Sequence, residues 1–273
     1  MTKIFHIVII ISFVYASSAF GQDNCNYENY FSLVNKALNK KHSDNEYKAA
    51  NEYFKKAIGL VDFQFGKDLE EALEVSINLN DESLSKIIVY QLAKGGIPIA
   101  YFDRYSNINN FDWWREFETN YAELRDYYLD NFDHSLRKEL LDLRTQDSLF
   151  NEKYHKYRRG ELLISEKELV DDGEKIVNKF KLIWKNIGFP SEKNIGYFYI
   201  NNKIQESPLV VTLIHLKQYG EYIFDDKYSE LVCEGHLRKY VFKNIENIMS
   251  FGNGKGVKNE FQLYHSTYKK DRT

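Results

Sequence analysis

Between Tyr27 and Lys94 the apolar residues recur every three or four positions, a period that suits amphipathic helices and not half-buried strands. In residues 47–60 (YKAANEYFKKAIGL), Ala50, Phe54, Ala57 and Ile58 share one face, with Lys and Glu opposite. The same reading puts helices over residues 30–41 and 67–79, and a fourth through Ser85, Val89 and Leu92. The whole chain holds 14 Gly and 3 Pro, too few for a turn-rich fold, and its 16% aromatic content supplies bulk for a core. The expected fold class is therefore mainly α: helical hairpins, then a helical domain with at most one short hairpin of strands.

Small, aromatic, small at i, i+4 and i+7 resembles the second helix of a tetratricopeptide repeat, where small residues let the paired helix approach and the aromatic fills the gap between neighbours. Ser85 stands 35 residues after Ala50, close to the roughly 34-residue repeat period. In the matching first helices Val34, Ala37 and Leu38 answer Leu69, Ala72 and Leu73. Two degenerate tetratricopeptide-like repeats over residues 27–105 fit, and so does a plain pair of helical hairpins with coincident spacing.

Gly95-Gly96 and Ile97-Pro98 close the fourth helix, and the polar stretch 107–112 is a loop. Asp112 is placed to cap a linking helix, within residues 106–132, along which Trp113, Trp114, Phe117, Tyr121 and Leu124 recur. The tryptophan pair reads as packing between this helix and its neighbours, or as a stacking platform for a ligand. After a break at Asn131-Phe132-Asp133, the series Leu136, Leu140, Leu143, Asp147, Phe150 carries a long helix to Gly160. Ser165 and Glu168 form a capping box for the next helix, which Gly188-Phe189-Pro190 ends. Residues 195–204 (IGYFYINNKI) are strand-like around an Asn-Asn turn. Helices are expected again over 209–223, opened by Ser207-Pro208, and over 228–251.

Residues 1–21 have the three parts of a secretory signal: Lys3, an apolar core, and Ala19 and Gly21 at the −3 and −1 positions of a cut before Gln22. The core of about twelve residues is short of the roughly 20 that span a bilayer. A lipid anchor on Cys25 is disfavoured by Gln22-Asp23-Asn24 before it, and no later apolar run reaches spanning length. The expectation is an exported protein, periplasmic or extracellular, with no membrane span in its mature form. Loss of Lys3 takes the formal charge from −3 to −4, and the absence of a basic block argues against nucleic acid. Cys25 and Cys233 either bridge in an oxidising compartment or stand apart, one in a frayed tail and one in the core.

The later motifs follow one order: LRKELLDLRTQDSLF (136–150), IGFP (187–190) with Gly196 six residues beyond the Pro, PLVVTLIHLKQYGEYIF (208–224), CEGHLRKYVFKNIENIM (233–249) and FQLYHS (261–266). That order resembles the bacterial domain of unknown function DUF6624, over about residues 133–266 within a domain expected at 133–268. The resemblance implies an Asp-Gln pair on the first helix, a Gly-x-Pro, a Gln-His-Ala-Asp on a central helix and a terminal Tyr-Gly-Thr-Gln. Here Asp147 is followed by Ser148, His215 lies between Ile214 and Leu216, and the end reads Tyr264-His265-Ser266. About half of any polar site in that family is kept.

Asp147, His215 and Tyr264 are the candidate catalytic residues, since an imidazole titrates near neutrality and a carboxylate orients it. The competing reading of His215, set in the apolar run LVVTLIHL, is a neutral core histidine satisfied by such partners. His215, His236 and His265 lack the spacing of a metal motif, Glu234-Gly235-His236 is too short a match to count, and Gly252-Asn253-Gly254-Lys255-Gly256 is no phosphate loop. No cofactor is expected. Two functions remain: an exported interaction module for a protein or peptide, on the concave face that stacked helices present, and an enzyme of unknown reaction using Asp147, His215 and Tyr264. A structural envelope component is a third, and it requires a large exposed apolar patch.

Overall fold

In the computed structural model, residues 25–43, 45–207, 209, 210, 212, 213, 227–239 and 241 are described. The four expected N-terminal helices form as α1 (Asn26–His42), α2 (Tyr47–Ile58), α3 (Gly66–Asn78) and α4 (Glu82–Lys94). Their apolar faces meet in one core, in which Val34, Ala37, Ala50, Phe54, Ala57, Leu69, Leu73, Val89 and Leu92 are all buried. The α1–α2 and α3–α4 connections each carry an asparagine in the left-handed region, Asn45 (φ 53°) and Asn80 (φ 53°), a conformation that Asn adopts more readily than most residues. Lys41 on α1 bridges Glu71 and Glu74 on α3 at 2.6 Å each, and Asp81 takes Asn51 and Lys55 of α2, each at 2.6 Å.

Two short 3-10 turns, Ile99–Arg104 and Ile108–Asn110, occupy what the sequence presents as coil, and α5 (Trp114–Asn131) follows. Asp112 does not cap α5: no side chain caps its first turn, and the Asp112 amide donates to Glu82 instead. Trp113 and Trp114 are buried against Phe117 within the first core, so the pair packs.

α6 (His134–Arg158) and α7 (Glu166–Ile187) pack as a long pair around a second core that includes Leu136, Leu140, Leu143, Val177 and Phe180. Asp133 caps α6, its side chain accepting from the Leu136 amide at 2.8 Å. Only half of the expected capping box on α7 is made. Ser165 accepts from the Glu168 amide at 3.1 Å, while the Glu168 carboxylate pairs with Lys153 on α6. A single turn, α8 (Glu192–Ile195), leads into β1 (Phe198–Ile200), which pairs antiparallel with β2 (Lys203–Gln205). Asn201 (φ 52°) and Asn202 (φ 59°) make the tight turn with both central residues left-handed, the geometry that suits the twist of a two-residue hairpin.

The hairpin joins the two cores. Phe198 belongs to the second, while Tyr197 and Ile204 enter the first. The Tyr197 amide donates to Gly95 O at 2.8 Å and its hydroxyl to Gln64 O at 2.9 Å. A Cβ on Gly95 would lie 2.2 Å from the Tyr197 ring, so this approach requires glycine. Arg137 of α6 fixes the other side, donating to Ile195 O and Tyr197 O while its guanidinium stacks over Phe198.

The expected helix over 228–251 is interrupted after Cys233 and resumes by Lys239 and Val241, while residues 240 and 242–251 lie outside the described residues. α9 spans Tyr228–Cys233, and Gly235 then turns with φ +74°. The Tyr27 ring fills the space beside Gly235, where a Cβ would come within 2.1 Å of it. Cys25, just before α1, is bonded to Cys233 at the end of α9, which settles the cysteine question in favour of the bridge.

Candidate functional site

The seam between the two cores opens into a narrow cleft with room for about 20 Å³. Phe65, at the entry to α3, forms one wall; Phe189, Pro190, Leu209, Leu213, Leu237 and Val241 supply the others. Its polar lining consists of Ser191, Glu192, Glu206, Ser207, His236 and Arg238. Local breaks place these groups. The Gly188 turn after α7 delivers Ser191 and Glu192, the end of β2 delivers Glu206, and the Gly235 turn swings His236 and Arg238 out of the line of α9.

Arg238 is 7% exposed and lies between two carboxylates, donating to Asp68 of α3 and to Glu206. Asp68, 3% exposed, also accepts the Tyr30 hydroxyl at 2.8 Å. Burial pushes the Asp68 carboxyl up, and Arg238 and Tyr30 hold it back by favouring its charged form. Glu192, 3% exposed, accepts the Gly66 amide at 2.8 Å and so satisfies one of the unpaired N–H groups at the start of α3 from 126 positions away. Burial pushes its pKa up to about 8, with Glu206 and Asp68 adding to the rise against Gly66 and Arg238. Glu192 therefore carries its proton at neutral pH.

Ser191 and His236 meet at 2.9 Å between Oγ and Nδ1. The serine has one proton, and Asn194 Oδ1, 3.1 Å away, accepts it. His236 Nδ1–H is then the donor to Ser191 Oγ, the reverse of what an activated nucleophile requires. Burial lowers the His236 pKa, in keeping with a neutral ring, and Glu234 stands 3.6 Å from its Nε2. The pair positions the α8 turn and the Gly235 turn against each other.

Asp147 is fully buried on α6, 3.1 Å from Arg144 one turn earlier, and is not part of the cleft lining. His215 and Tyr264 lie outside the described residues. Sequence reasoning passed over Ser191, Glu192, Glu206 and Arg238, and met His236 only as a metal candidate, with His215 and His265 and beside Glu234, that it set aside. The signal that was available was Gly235, a helix breaker two residues after Cys233, which separates His236 and Arg238 from the helical stripe. Among the described residues no group of three His, Cys, Asp or Glu side chains is arranged to hold a metal ion, and no helix is long and apolar enough to cross a membrane. No protein-family model, no curated protein and no solved structure matches the chain.

Proposed function

We propose that this chain is an exported binding protein for a protein or peptide partner, with the narrow cleft between the two cores taking the tip of one apolar side chain. The observation that carries the reading is the lining of the cleft: apolar walls around a few buried polar groups, at the junction of two packed units, with space for one small apolar group. The Cys25–Cys233 bond supports export, because such bonds persist in oxidising compartments. The tetratricopeptide-like reading of the first four helices is supported by an equal offset at two levels. Asn45 and Asn80, both left-handed, and Ala50 and Ser85, both buried, are each 35 residues apart. The DUF6624-like reading of the second half remains part of the proposal, resting on motif order.

The test is a peptide-display selection on the mature chain, repeated with Val210→Trp, which places an indole in the cleft mouth. Selected peptides should lose at least about tenfold in affinity against the variant while its helical circular dichroism is unchanged, a loss of roughly 1.4 kcal/mol. Peptides that bind both proteins equally would place recognition elsewhere.

A further inference from the structure

We propose that the Cys25–Cys233 bond is a reducible clasp: a thiolate entering the open hollow beside it attacks Cys233 Sγ, Cys25 leaves, and the turn after α9 loosens from α1. The inference goes beyond the binding role proposed above, and its test needs no ligand.

Access decides whether a disulfide is an inert staple or a labile link, and this bond is within reach of thiols. Cys25 and Cys233 are both half-buried, and Cys233 forms part of the wall of an open hollow of about 580 Å³, beside Tyr27, Asp62, Lys193 and His236. That is room for a glutathione-sized thiol. Cys25 is not in the wall, so Cys233 Sγ is the atom presented to an incoming thiolate. Lys193 pairs with Asp62 and His236 stands near Glu234, so opposite charges offset each other and no single-sign field repels the anion. The bond is also placed where its loss is felt. Val232 of α9 enters the first core, Leu231 and Leu237 enter the second, and Arg238 reaches Asp68. Against α1 this segment is held by the bond, by Tyr27 packed beside Gly235 and by the exposed Lys239–Glu28 pair, and an exposed pair contributes little. The exchange balances with a dithiol reductant. Its first thiolate bonds to Cys233 Sγ as the Sγ–Sγ bond breaks, and the electron pair leaves on Cys25 as a thiolate, which takes a proton from water. Its second thiolate then displaces Cys233, so the reductant ends as a disulfide and the two electrons it loses reduce the protein's bond.

The folded mature chain is treated with dithiothreitol in the absence of denaturant, quenched with an alkylating reagent and mapped by mass spectrometry, with circular dichroism followed in parallel. Both cysteines should be alkylated while the helical signal persists, and low urea should leave the rate unchanged, because attack through the hollow exposes no new surface. Leu60→Trp, at an exposed wall position, should narrow the hollow and slow reduction several-fold with no change in the urea midpoint. Glutathione should be trapped as a mixed disulfide on Cys233. In the reduced chain, amide exchange over residues 228–239 should quicken at least about tenfold more than over α6 and α7. Reduction that keeps pace with urea unfolding, an unaffected rate in Leu60→Trp, or glutathione on Cys25 would overturn entry through the hollow. Exchange that rises equally in every element would show that the bond restrains only the unfolded chain, and would overturn the clasp.

Discussion

Replacing Glu192 by Gln removes an ionisable group from the seam and leaves the acceptor for the Gly66 amide in place. In the folded chain burial holds the Glu192 proton up to about pH 8, against an ordinary value of 4.5. Below 4.5 both folded and unfolded chains carry that proton, and the group is neutral in its effect. As pH rises from 4.5 to 8 the unfolded chain ionises first, so the folded state loses about 1.4 kcal/mol per pH unit. Above 8 both states are ionised and the loss levels off at about 5 kcal/mol. Glutamine does not titrate, so Glu192→Gln should approach the wild type in stability near pH 4 and exceed it by about 4–5 kcal/mol at pH 8. Urea unfolding of both proteins at pH 4, 6 and 8, with the disulfide intact and equal slopes confirmed, measures this directly. A constant difference between the two proteins across that range would show that Glu192 titrates as an ordinary surface acid and would refute the buried-acid account.

Three other perturbations follow from the same geometry. Peptide mapping without reductant should recover Cys25 and Cys233 in one linked fragment, and Cys25→Ser should cost about 3–5 kcal/mol because the bond closes a 208-residue loop; two free thiols in the folded protein would contradict the bond. Gly235→Ala should destabilise by at least about 2 kcal/mol in thermal unfolding, since it combines φ +74° with a contact against Tyr27; a neutral result would mean the turn relaxes freely. Asp68→Ala should cost about 3–5 kcal/mol, because it leaves the buried Arg238 and the Tyr30 hydroxyl each short of an acceptor; a loss under 1 kcal/mol would show that water replaces the carboxylate.

The elements that sequence reading located well are those whose signal is local. The period through Ala50, Phe54 and Ala57 marks α2 to within two residues at its end, and Asn201-Asn202 marks the hairpin turn. Helical character as a whole was legible for the same reason, since each helix buries its own stripe. The cleft was not, because each of its groups is ordinary in its own segment. Glu192 follows Pro190-Ser191 like any residue in a first helical turn, and its character comes from burial against a segment more than a hundred positions earlier, where the Gly66 amide is its donor. Arg238 sits in a run that reads as the continuation of a helix until Gly235 is allowed its left-handed turn under Tyr27. The Cys25–Cys233 pairing likewise depends on α1 and α9 lying side by side, which no spacing in the chain announces.

The most direct test of the binding account is an amide NMR titration of the mature chain with a peptide taken from the display selection at pH 7. The account predicts that shift changes concentrate on Phe65, residues 189–192, Glu206 and Ser207, Leu209 and Val210, and residues 236–238, which line the cleft. Shifts confined to the α6–α7 surface, or an unchanged spectrum, would contradict it.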